Sequence, residues 1–272
     1  MFGKNDKSGK NGNNCSAIGA VHVHALPGAA GYCGNMEQII NTALSDAVAY
    51  QKAGVDALII ENMHDVPYLK GYVEVETIAA MAVVASVIKR ECLMPIGIQI
   101  LAGANIEALA VANACDLDFI RVEGFVYAHI GDEGIHEASA AQIVRKRAAI
   151  KADKVRIFAD IKKKHSSHAI TEDISLVETA TTAEFFKADG VIVTGLRTGD
   201  APPASAVSEV KAAVTIPVLV GSGVTPDNIG NYSRYADGII FGTYAKFDGN
   251  WINDVDSDRV KRLVEAAQKQ QN

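Results

Sequence analysis

A short β-branched run followed by a helical stretch recurs eight times along this chain, and that alternation constrains the fold more than any other feature. The predicted strands are 17–25, 57–62, 95–100, 118–124, 155–161, 190–195, 217–223 and 237–243. The predicted helices are 36–53, 74–91, 105–115, 137–151, 173–187, 204–213, 226–234 and 256–270, with apolar residues at three- and four-residue intervals among Ala and Glu. Strand–helix units without long linkers build a parallel sheet covered on both faces. Eight of them close into a (βα)8 barrel. An open doubly wound sheet is the competing arrangement, but no GxGxxG turn follows the first strand. The expectation is therefore a single (βα)8 TIM barrel over residues 16–272, preceded by a disordered polar tail over residues 1–15.

The chain has 272 residues, 49% of them hydrophobic, enough for one large core. Its net charge of −6 gives no basic face for a nucleic acid. No run of about 18 apolar residues is present to span a membrane. The opening "MFGKNDKSGKNGNN" has neither the apolar segment of a secretory signal nor the arginines of a mitochondrial presequence, so a cytoplasmic location is expected. The four cysteines show no CxxC spacing and read as reduced thiols.

A barrel of this kind works at the C-terminal ends of its strands, where every second side chain faces the axis. In "VRIFADIKKKHSSH", Val155, Ile157, Ala159 and Ile161 form the helix-facing set, leaving Asp160 and, by the same alternation, Lys162 directed inward. Lys163 is expected to turn outward, Lys164 could go either way, and His165 follows at the rim, its pKa raised by nearby carboxylates. The same sorting brings His22 and His24, Glu61, Gln99, Arg121 with Glu123, and Thr194 to the mouth. These charges are costly at the end of an apolar barrel unless paired, so they form either a working site or an ion-pair plug.

The last two strands end differently. "VLVGSGVTPDNI" offers the Gly221-Ser222-Gly223 turn followed by a predicted helix with Thr225 as its N-cap and Pro226 at its first position. "IIFGTYAKFDG" offers Gly242 and Thr243. Exposed amides at such turns make an anion seat, and barrels commonly place a phosphate on these two loops.

The segments "IGAVHVHALPGAAGY", "DALIIENMHDVPY", "FIRVEGFVYAHIGDEGI", "ADIKKKHSSHAI", "VIVTGLRTGDAPP" and "VLVGSGVTPDNI…ADGIIFGT" together resemble the BtpA family, in family order and over essentially the whole chain from Ile18. The resemblance implies a TIM barrel of the ribulose-phosphate-binding type. It also implies relatives that include a photosystem I biogenesis factor and proteins regarded as nucleosidases or sugar-metabolism enzymes. By motif, His22, Glu61, Asp65, Arg121, Asp160, Lys162, His165, Thr194 and the Gly221–Gly223 turn match the family's recurring polar positions. His24 departs from them, since the family usually carries Pro or another residue there.

Three functional expectations follow. The leading one is an enzyme that binds a phosphorylated sugar or nucleotide-like molecule, with no cofactor and no resident metal. Asp160, Lys162, Glu61, Arg121, His165, His22 and Glu123 would carry isomerase, lyase or nucleosidase-type acid–base chemistry. Asp65, Gln99, Thr194, Gly221, Ser222, Gly223, Gly242 and Thr243 would hold the ligand. The second is a non-catalytic biogenesis or assembly factor that keeps the anion seat. The third, a metal-dependent hydrolase, rests on His22-x-His24 as a two-histidine ligand pair, without the further ligands such a site needs on the sixth and eighth strands. A homo-oligomer is compatible with all three.

Overall fold

The computed structural model describes residues 15–195, 197 and 199–269. The expected disordered tail thus lies outside the described residues apart from Cys15, which is buried. Eight parallel strands close a barrel: β1 (Ser16–His22), β2 (Ala57–Glu61), β3 (Ile96–Gln99), β4 (Phe119–Val122), β7 (Arg156–Ile161), β9 (Gly190–Val193), β10 (Val218–Gly221) and β11 (Gly238–Phe241), with β11 returning to pair β1. Around it lie α1 (Met36–Ala53), α2 (Val75–Glu91), α3 (Asn105–Ala114), α4 (Ala140–Ala149), α5 (Leu176–Phe185), α6 (Ala204–Ala213) and α7 (Ser257–Lys269). Among the described residues no helix is long and apolar enough to cross a membrane.

Strand alternation divides the core in two. Val155, Ile157, Ala159 and Ile161 face outward into the large cluster between sheet and helices. Ile18, Ala20, Ala57, Ile59, Phe119, Phe158, Ile192, Leu219 and Ile240 fill the barrel interior. At its centre the Phe119 and Phe158 rings meet edge-to-face, 5.5 Å between centroids. Gly97, opposite Phe119 in the β3–β4 register, leaves the room: a Cβ there would lie 2.1 Å from that ring. This apolar plug forms the floor, and the residue after it on each inward row stands at the mouth.

Two segments depart from the sequence expectation. The predicted helix 226–234 is absent. In its place the Asn228 side chain accepts the Thr225 N–H (2.8 Å) and donates to the Gly223 carbonyl (2.9 Å), folding the segment into turns with a single 3-10 turn at Ile229–Asn231. A local side-chain bond has outcompeted the helix. The second departure is an unexpected hairpin, β5 (His129–Gly131) and β6 (Gly134–His136), between β4 and α4. Ser166–Ser167, as β8, adds a third antiparallel strand beside β5. This small sheet follows the C-terminal ends of β4 and β7, so it stands on the working side of the barrel.

Candidate functional site at the barrel mouth

The inward rows of β2, β4 and β7 end in Glu61, Arg121 and Asp160, all buried. Arg121 holds them together. Its Nε and Nη2 grip the Asp160 carboxylate in a bidentate pair at 3.0 Å each, and its Nη1 donates to Glu61 Oε1 at 3.1 Å. Burial opposes the Arg121 charge, but the facing carboxylates of Asp160 and Glu61 outweigh it and hold the guanidinium charged. Burial pushes the Glu61 carboxyl upward, with Arg121 opposing. Asp160 feels the same burial but is tied by a bidentate grip, whereas Glu61 is held through one oxygen only. Glu61 is therefore the more available of the two for proton exchange.

His22 stands beside Glu61, its Nε2 4.0 Å from Oε2. Its Nδ1 lies 3.2 Å from the Trp251 carbonyl, which can only accept, so the proton sits on Nδ1 and Nε2 offers a lone pair. Burial, then the nearby Lys246 charge, holds this imidazole neutral, well below the usual histidine range. The Trp251 carbonyl belongs to a strap, residues 243–256, pinned from beneath by a buried ion pair. Lys246, 1% exposed, reaches Asp46 of α1 at 2.7 Å, and the other Asp46 oxygen accepts the Val255 N–H at 2.9 Å.

The lysine run behaves differently from the alternation argument. Strand β7 stops at Ile161, and Lys162 takes a left-handed backbone, φ 45°, that breaks the phase. Its ammonium donates to the Thr171 carbonyl at 3.1 Å, facing away from the main cavity. Lys163, expected to turn outward, is buried and pairs with Glu123 at 3.3 Å. Lys164 is the lysine that lines the mouth. Its backbone N–H is held by the Thr194 hydroxyl at 3.1 Å, so Thr194 positions this lysine. His165 is exposed, with φ 54°; partial burial and then the Lys164 charge push its pKa down, opposite to the expectation.

Other expected site residues are structural or peripheral. Asp65 accepts the Leu26 N–H and the Asn62 side chain, both at 2.8 Å, and so ties the loops after β1 and β2 together. Gln99 lies buried beside Glu61 in the β2–β3 register. His24 turns to Asp254 (3.7 Å) and the His64 ring, so it does not share a centre with His22. Among the described residues no three metal-ligating side chains converge. The hairpin stacks His129 on His136 with rings 2° from parallel, an arrangement that does not aim their nitrogens at a common point.

One cavity of about 310 Å³ joins these groups to the glycine turns. Glu61, His22, Arg121 and Lys164 line one side of it; Ser222–Thr225 and Gly242–Tyr244 line the other. Glycine is required on that far wall, since a Cβ at Gly242 would meet His22 Nε2 at 2.7 Å and one at Gly221 would press on Ile192 at 2.8 Å. Sequence reading missed Arg259, from the first turn of α7. Its Nε donates to the Tyr244 carbonyl at 2.5 Å, its guanidinium lies 4.2 Å from the Tyr244 ring centroid, and it completes the lining. Nothing in strand phase points to a residue on the last helix.

The model of the BtpA family matches residues 13–269. An uncharacterized mitochondrial protein of Caenorhabditis elegans is 44% identical, covering 91% of each chain. The photosystem I biogenesis protein BtpA of Synechocystis is 34% identical over 92% of this chain and 86% of its own length. Among solved structures, (S)-3-O-geranylgeranylglyceryl phosphate synthase from Thermoplasma acidophilum, in complex with sn-glycerol-1-phosphate, superposes with a TM-score of 0.59 over 95% of this chain and 94% of its own. At 18% identity, that likeness shows the fold alone.

Proposed function

Because this chain belongs to the BtpA family, we propose that its barrel mouth binds a phosphorylated sugar or nucleotide-like molecule and acts on it by acid–base chemistry. The observation that carries the reading is the charge of the cavity lining. Arg121 is taken up by Glu61 and Asp160, but the other two cations of the lining, Lys164 and Arg259, meet no carboxylate within salt-bridge distance among the described residues, in a chain whose net charge is −6. A cation-rich hollow in an acidic protein favours an anion. Its size suits a small metabolite.

The phosphate would sit against the Ser222–Thr225 and Gly242–Thr243 turns with Arg259 beside it. The Thr225 N–H is taken by Asn228 and the Ser222 N–H by the Ile240 carbonyl, so the backbone donors for it would be the amides of Gly223, Val224 and Thr243, without a following helix. The reacting end would then lie against Glu61, His22 and Lys164. Asp160 holds Arg121 in place, Glu61 exchanges a proton, and the His22 Nε2 lone pair accepts one. The same set serves isomerase or lyase chemistry beside a carbonyl and nucleosidase-type cleavage. That the structurally similar synthase holds sn-glycerol-1-phosphate supports a phosphorylated ligand for a barrel of this shape.

Thermal-shift measurements with matched pairs, ribose against ribose 5-phosphate and a nucleoside against its monophosphate, test this. Only the phosphorylated members should raise the melting temperature, by mass action. Arg259→Met should weaken binding of the best of them by about 1–3 kcal/mol, the loss of one charged hydrogen bond. Equal shifts within each pair, or an unaffected Arg259→Met variant, would refute an anion seat on these turns.

A further inference from the structure

We propose that Lys164 is a nucleophile: its amine condenses with the carbonyl carbon of an aldehyde or ketone phosphate in the mouth cavity to form an imine. The inference rests on the phosphorylated-ligand reading above and deepens it by naming the substrate class as a carbonyl compound.

The three consecutive lysines divide by what they touch. Lys162 is tethered to a backbone carbonyl and Lys163 to the Glu123 carboxylate. Lys164 lines the cavity, and among the described residues its ammonium has no ion-pair partner within salt-bridge distance. The turn that presents it is constrained on both sides. Lys162 and His165 hold left-handed backbones, and the Thr194 hydroxyl fixes the Lys164 N–H between them. Non-glycine residues in that region cost energy and persist where the surroundings over-determine them, which is common at functional sites.

The surroundings also suit the chemistry. An amine attacks only when neutral, and burial followed by the Arg121 charge lowers the Lys164 pKa, against the pull of Glu61 and Asp160. The Arg121 guanidinium is committed to carboxylates, so it fixes the field without competing as a nucleophile. Glu61, its carboxyl raised by burial, lines the same cavity as a proton carrier.

The step balances without any further reactant. The Lys164 lone pair forms the C–N bond while the carbonyl π pair moves to oxygen. Glu61 gives that oxygen a proton and takes one from the nitrogen, leaving a carbinolamine and a neutral carboxyl. A second proton from Glu61 lets the hydroxyl depart as water, and the nitrogen pair completes an iminium facing the Glu61 carboxylate. That cation acidifies the neighbouring C–H or C–C bond, with Glu61 or the His22 Nε2 placed to accept a proton. Such chemistry suits isomerase or lyase action at a carbonyl.

Aldehyde trapping tests this on the full chain. Pyridoxal 5′-phosphate, a phosphorylated aldehyde, and glyceraldehyde, an unphosphorylated one, are each incubated with the protein at neutral pH and reduced with borohydride. The labelled lysines are then mapped by peptide mass spectrometry. Lys164 should carry the dominant adduct with both, inorganic phosphate should protect it from pyridoxal 5′-phosphate, and a folded Lys164→Met variant should lose that adduct. Labelling spread over surface lysines with Lys164 unmodified by either aldehyde overturns the inference, even where phosphate stabilises the fold and the anion seat survives. Lys164 labelled equally well by glyceraldehyde with no phosphate protection supports the imine and removes the anion seat.

Discussion

Replacing Arg121 by Met is expected to cost the fold about 3–5 kcal/mol, the penalty for removing one member of a buried ionic cluster and leaving the others unpaired. Two carboxylates, Glu61 and Asp160, lose their common partner at once. Neither stays charged at no cost. Holding one carboxyl protonated at neutral pH against an ordinary pKa near 4 costs about 4 kcal/mol. Lys164 nearby offsets part of this. The pH dependence gives the diagnosis. In the variant both folded-state pKa values rise further above the unfolded ones, so the native state binds more protons than the unfolded chain. Stability is then fully recovered below the unfolded carboxylate pKa and lost as pH rises through the folded one. Urea unfolding should show the gap to wild type widest at neutral pH and narrowing toward about pH 4. A gap that is constant with pH would mean that lost packing, and not stranded charge, is responsible.

Lys246→Met should destabilise by a similar amount, about 3–5 kcal/mol, because it strands the Asp46 carboxylate beneath the strap. Here the consequence reaches the cavity, since the same strap brings the Trp251 carbonyl to His22 and Tyr244 to Arg259. Asp46→Asn placed on the Lys246→Met background should restore most of the loss. Asn is neutral, and its oxygen can still take the Val255 N–H that Asp46 accepts now. Denaturation of the single and double variants, read as a cycle, separates the ion pair from the strap itself. If the double variant is no more stable than the single one, stranded charge is not what Lys246 prevents.

The barrel and the inward rows were legible because a ladder-bound strand has a strict two-residue period. Phe119 and Arg121, like Phe158 and Asp160, follow it to the end of their strands. The reading failed where the ladder stops. One left-handed residue at Lys162 resets which lysine enters the cavity, and no rule of alternation survives that turn. The predicted helix at 226–234 failed for a related reason. Thr225, Pro226 and Asp227 are good helix starters, but the Asn228 carboxamide satisfies the local backbone first. The hairpin at 129–136 does carry a signal, a Gly-Asp-Glu-Gly turn between its two short strands. Arg259 carried none, since tertiary packing of α7 alone brings it to the mouth.

The cytoplasmic expectation stands beside a Caenorhabditis elegans relative designated mitochondrial. The phosphate seat concerns the chemistry of the mouth and is independent of compartment.

The most direct test of that seat is a crystal structure of the chain soaked in inorganic phosphate. The ion is expected in the cavity between the Ser222–Thr225 turn and Gly242–Thr243, within hydrogen-bond distance of the Gly223, Val224 and Thr243 amides and of the Arg259 guanidinium. Phosphate bound elsewhere, with that cavity empty and the Gly223, Val224 and Thr243 amides turned onto protein carbonyls, would contradict the anion seat.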